Sequence, residues 1–189
     1  MNLSLYSVAA FLIMDTDGNR VMAKYYRPKH NPLTNPLPDT KQLLNLKEQK
    51  AFEKGLWEKT KKPGGDVVIY DSYLALYKHS LDLIIYVIGP QTENELMLNA
   101  ALNAYIDAVS MLLRNQFEKR SVLENLDLVL LCLDETIDEG IIVETDSVAI
   151  ASRVSKPRAD TSDIVINEQT IMSAYQSVRE RMQRGLGQF

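Results

Sequence analysis

The residues able to do chemistry are few. The one thiol, Cys132, stands between Leu131 and Leu133, and a nucleophilic thiolate needs an electropositive, partly exposed setting that Leu-Cys-Leu does not offer. It reads as a small core hydrophobe in a reducing compartment, the cytosol. The two histidines, His30 and His79, have no Cys, Asp or Glu at metal-ligand spacing on the same element. Asp15-Thr16-Asp17-Gly18 is too short of a calcium loop, its glycine early and the closing Glu missing, so it reads as a turn. No glycine-rich phosphate cradle is present: Pro63-Gly64-Gly65 follows a helix and precedes a strand. These readings predict no cofactor, no metal and no catalytic residue.

One dense group of charges remains: Asp134, Glu135, Asp138, Glu139, Glu144 and Asp146. Paired carboxylates can serve acid/base work, but nothing nearby would orient a substrate. The cluster reads as a solvated face, with Glu135 and Glu144 offered as an acidic docking surface for Arg or Lys of another protein. A hydrolase built on it is the least favoured reading. Over the whole chain 25 acids and 21 bases are scattered to a net charge of −4, which leaves no broad basic surface for nucleic acid.

The elements that must position these groups follow from pattern. Of the 189 residues 46% are apolar and 24% charged, the proportions of a folded domain with one core. Val8 to Met14, Leu83 to Ile88 and Leu128 to Leu133 are apolar runs far below the ~18 residues of a membrane span, and no secretion signal or lipidation box is read at the ends. Leu5 to Met14 and Val21 to Tyr26, joined by Asp17-Gly18, predict a β-hairpin whose first strand is central and second peripheral. A Pro-rich loop (Pro28, Pro32, Pro36, Pro38) leads to an amphipathic helix over 40–60. Strands over 67–70, 73–77 and 81–88 form a meander with turns at Asp71-Ser72 and His79-Ser80, closed by Gly89-Pro90.

A long helix is predicted over Glu93 to Phe117. Its polar residues Asn99, Asn103, Asp107, Ser110 and Arg114 span an arc of only about 80°. The rest is apolar, including Met97, Tyr105, Val109, Met111 and Leu112, more than one sheet face and one neighbouring helix can cover. Either later helices fold back over it or a permanent partner does. In the second case Tyr105, Val109, Met111 and Leu112 are the partner-binding residues, and the contact should bury more than ~2,000 Å². Leu123 to Ile137 reads as a further helix ended by Gly140, with a strand fitting the same residues. Asp146 or Ser147 caps a short helix to about Ser155. The domain is expected to occupy 1–156, followed over 157–189 by a linker and an amphipathic helix, Asn167 to Arg184. Runs of strands followed by helices make the fold α+β with an antiparallel sheet.

Leu126-Asp127-Leu128-Val129-Leu130-Leu131, the run from Asp134 to Asp146, Ile150 to Val154 and Asp17 to Tyr26 closely resemble the zeta subunits of coatomer, the COPI vesicle coat. The Asp-Glu…Gly-x-Ile-x-Glu-Thr pattern is similar, more widely, to the small chains of clathrin adaptors. That resemblance implies a longin-like fold, a five-stranded antiparallel sheet between helices, and a non-catalytic cytosolic subunit. It further implies pairing with the gamma large subunit in a heptameric coat, recruited peripherally to Golgi membranes by an Arf-type GTPase for Golgi-to-ER retrograde transport. The competing reading is a longin-type regulator or scaffold for small GTPases. A fusion SNARE does not fit, since sustained heptads and an anchor are missing.

Overall fold

The computed structural model describes residues 5–26, 43, 45–62 and 66–155. His30, the Pro-rich loop, the Pro63-Gly64-Gly65 stop and everything expected over 157–189 lie outside the described residues.

Five strands form one antiparallel sheet: β1 (Ala10–Asp15), β2 (Arg20–Tyr25), β3 (Val67–Tyr70), β4 (Tyr73–Ser80) and β5 (Leu83–Pro90), in the order β2-β1-β5-β4-β3. The nearly continuous apolar runs become the buried strands β1 and β5, because only a strand covered on both faces needs apolar side chains at every position. β2 and β3 are the edges. At the β1–β2 turn the Asp15 carboxylate accepts the Asp17 and Asn19 N–H groups at 3.1 and 2.7 Å, and Gly18 takes φ +83°. The β4–β5 turn falls two residues beyond its expected place, at Leu81-Asp82. Leu81 accepts φ +47°, which lets His79 and Ser80 stay paired with Ile84 and Leu83. Gly89 and Pro90 likewise remain in the ladder, opposite Leu74 and Tyr73.

One face of the sheet is covered by α1 (Leu46–Thr60), which buries Phe52, Leu56 and Thr60 against Leu12, Tyr73, Tyr77 and Tyr86. The other carries α2 (Glu95–Leu112), α3 (Lys119–Glu124), α4 (Leu126–Thr136) and α5 (Ser147–Val154). α2 starts at Asn94, whose side chain accepts the Leu96 N–H at 2.9 Å. It stops five residues before the expected Phe117. Arg114 and Asn115 take φ +54° and +63°, and the Asn115 N–H returns to the Ser110 carbonyl at 2.7 Å, a left-handed helix end.

The 123–137 segment is helical, not extended, with α3 and α4 divided at Asn125. Gly140 does not cap α4. With Glu139 (φ +44°) it makes the two-residue turn of a small hairpin, β6 (Ile137–Asp138) and β7 (Ile141–Ile142), since two successive positive φ angles suit a tight hairpin turn.

Candidate partner interface

The side chains with reactive potential are structural. Cys132 is fully buried, and that burial, with the Glu135 charge adding to it, pushes its thiol up to about 12. His79 Nε2 shares a hydrogen bond with the Thr60 carbonyl at 3.1 Å. No cluster of three His, Cys, Asp or Glu side chains suited to a metal occurs among the described residues.

The acidic run is largely engaged with its own fold. Arg153 on α5 reaches Glu135 on α4 at 3.4 Å and Glu144 at 3.1 Å, so the two proposed docking acids share one cation. Glu144 also accepts the Asp146 and Thr145 N–H groups, which together with Arg153 hold its carboxyl below the usual glutamate range against a small opposing effect of burial. Asp146 caps α5 through the Val148 and Ala149 N–H groups at 2.9 and 3.4 Å. Asp134 pairs with Lys24 of β2. Thr136, buried, returns its hydroxyl to the Cys132 carbonyl at 2.7 Å and accepts the Val143 N–H at its own carbonyl at 2.9 Å. Gly140 accepts the Val8 N–H at 3.0 Å, and a Cβ there would lie 2.6 Å from the Val8 carbonyl oxygen. The run from Asp134 to Arg153 is therefore a clip joining the start of the sheet to α4 and α5. Arg153 and Lys24 fall within the family-like segments Ile150 to Val154 and Asp17 to Tyr26, and their charge, opposite to the cluster's, is the one signal of this role in the sequence.

The apolar face of α2 requires a correction. Tyr105 and Val109 lie in the chain's own core, 0% and 1% exposed, and Tyr105 donates its hydroxyl to the Val129 carbonyl of α4 at 3.3 Å. Phe11 and Phe117 meet its ring edge to face, with centroids 4.6 and 6.5 Å away. Neither residue can meet a partner while this packing holds. The reason is that α4 and α5 both fold onto α2, a cover that the apolar arc alone does not distinguish from a second protein. Leu112 is half-buried against the core, and Met111 stays 48% exposed. With Leu96 and Met97 it forms the apolar remainder on α2, while Leu130 and Leu131 face outward from α4. No helix among the described residues is long and apolar enough to cross a membrane.

This geometry, a sheet between helices with buried tyrosines, a motif spent on packing and apolar side chains left outside, suits recognition. A family model described as the clathrin adaptor complex small chain matches residues 7–161. The chain belongs to that family. Within it the chain is 40% identical to the coatomer subunit zeta of Saccharomyces cerevisiae, over 98% of this chain and 99% of that one. It is also 40% identical to human coatomer subunit zeta-1, over 97% and 94% of the two chains. A probable coatomer subunit zeta-A of Dictyostelium discoideum shares 39%. Among structures, a chain from a homology model of the full-length AP-3 complex in a stretched open conformation superposes with a TM-score of 0.58 at 14% identity, covering 92% of this chain and 98% of that one; this likeness concerns the fold. The α+β adaptor small-chain fold agrees with the expectation from the sequence, and the protein is a small subunit of a vesicle coat.

Proposed function

We propose that this chain is the small, non-catalytic partner of a gamma-type large subunit in a COPI-type coatomer. In this reading an Arf-type GTPase recruits the assembled coat to the cytosolic face of Golgi membranes for retrieval to the ER. The observation that carries the proposal is the 40% identity to a coatomer zeta subunit over essentially the full length of both chains. Met111 and the outer edge of Leu112 supply apolar contact, and Glu135 and Glu144 an acidic rim whose charge Arg153 only partly neutralises. Tyr105 and Val109 are left out of this surface.

Co-expression with a gamma-type large chain, followed by intact-complex mass spectrometry, is expected to give a stable one-to-one complex. Met111→Asp is expected to weaken that pairing without altering the fold, since Met111 is half out of the core. A monodisperse monomer that ignores the large chain would overturn the reading.

A further inference from the structure

The sheet's two edges differ in protection. β2 carries Arg20 and Lys24, its pairing with β1 shifts register after Ile13, and every residue in it is at least half covered. Charges and register breaks of this kind discourage strand addition. β3 has neither. It lies at the end of the sheet, and among the described residues no strand pairs with its outer side. Val68 and Tyr70 turn toward α1, whereas Val67 and Ile69, on the opposite face, are 48% and 54% exposed.

The hydrogen-bond phase is set by Tyr77, whose N–H donates to the Asp66 carbonyl at 2.9 Å. In an antiparallel ladder directly opposed residues alternate between bonded and non-bonded pairs. Val68 and Ala75, then Tyr70 and Tyr73, are therefore the bonded pairs. The N–H and C=O of Val67 and Ile69 consequently point away from the sheet. β3 thus offers two outward donor–acceptor pairs at strand spacing, each beside a bare apolar side chain.

The other face of this edge carries a cation. Phe52 lies 5.3 Å from the Tyr70 ring, and a Cβ at Gly55 would meet the Tyr70 hydroxyl at 2.0 Å, so the glycine lets α1 approach β3 closely. Lys59, one turn on, is exposed and holds its Nζ 5.1 Å from the Tyr70 ring. Asp66 and Asp71 bracket the strand, which disfavours acids at the ends of an added segment and places them at its centre.

We propose that β3 docks an extended segment of a partner protein by strand addition, with apolar side chains on Val67 and Ile69 and acidic side chains beside Lys59. The inference rests on β3 and α1 and is independent of large-subunit pairing.

The test uses the full-length chain and a labelled, end-blocked peptide of alternating valine and glutamate, read by fluorescence anisotropy against the same peptide with lysine in place of glutamate. The acidic peptide is expected to bind at least about tenfold more tightly. Ile69→Pro removes an outward N–H but no ladder bond, so it should weaken binding by about tenfold or more while the far-UV circular dichroism is retained. Lys59→Glu should reverse the peptide preference. Equal binding of both peptides, undiminished binding to Ile69→Pro, or no binding up to about 1 mM would overturn the proposal. So would sedimentation showing that a second copy of the chain occupies β3, in a dimer that Ile69→Pro dissolves.

Discussion

The two faces of the sheet are held down by different physics. Under α2, α4 and α5 the contact is apolar and wide, from Phe11, Ile85 and Val87 to Leu98, Tyr105 and Leu133. Under α1 there is one helix, and directional bonds place it. Arg20 grips the buried Glu53 with Nε at 2.9 Å and Nη2 at 2.6 Å, and the Tyr25 hydroxyl donates to the same carboxylate at 2.7 Å. Trp57 Nε1 donates to the Thr16 carbonyl at 3.2 Å, and the Thr60 and Tyr86 hydroxyls lie 2.7 Å apart. A helix with a narrow apolar stripe has little area with which to choose its seat, so polar anchors choose it. Area suffices where three helices share the load.

That contrast can be broken by mutation. Tyr105→Ala should cost most, about 3–5 kcal/mol, because it empties a sealed volume on the apolar face. Urea unfolding measures it, and a cost below about 1 kcal/mol would show that this face is not packed as described. Glu53→Ala should cost less, about 2–3 kcal/mol, since it strands Arg20, yet that side chain keeps 25% of its surface in water and does not bear a fully buried penalty. Its unfolding should also release Trp57 from Thr16, so tryptophan fluorescence tests whether α1 loses its seat. If the Trp57 signal is unchanged, the anchors do not place the helix.

The third prediction concerns acid. Burial acts to raise the Asp15 carboxyl, but hydrogen bonds from Lys119 and Asn19 and the Lys119 charge outweigh it, leaving the group below its ordinary value. The unfolded chain therefore takes up this proton first as pH drops. Asp15 contributes stability that is fully present above the ordinary aspartate range, near 4, and is lost as pH falls through the lower folded value. Asp15→Asn should flatten the acid limb of the stability curve, which thermal melts between about pH 2 and 5 would detect. The smallest effect is expected from Arg153→Ala, about 0–1 kcal/mol, because its two ion pairs are exposed and screened. A larger loss would mean that the 134–153 clip is anchored by charge and not by Thr136, Gly140 and the Asp146 cap.

Of the candidate site the sequence made the charged and apolar segments legible, though not their allocation between core and surface. The Asp134 to Arg153 pattern located the family, and its Asp146 cap was readable from residue type. The purpose of Gly140 was not, since a positive φ serves a helix end and a hairpin turn equally and the choice depends on Val8, more than a hundred residues away. The premature end of α2 was signalled only by Arg114-Asn115, a weaker cue than glycine for the left-handed region.

Local order was the province of the sequence itself. Alternation, apolar runs, Asp-Gly at a turn and Asp before a helix act within a few residues, so the five sheet strands and the main helices could be read in order without coordinates, while the β6–β7 hairpin and the division of α3 from α4 could not. Which apolar side chains are covered, and by what, was decided only in three dimensions. Periodicity marks the water-avoiding side of α2, but whether α4 and α5 or another protein fills the space beside it depends on contacts between residues far apart in the chain. The same holds for β3: its composition makes it a strand, and only the order of strands in the sheet leaves it at an open edge.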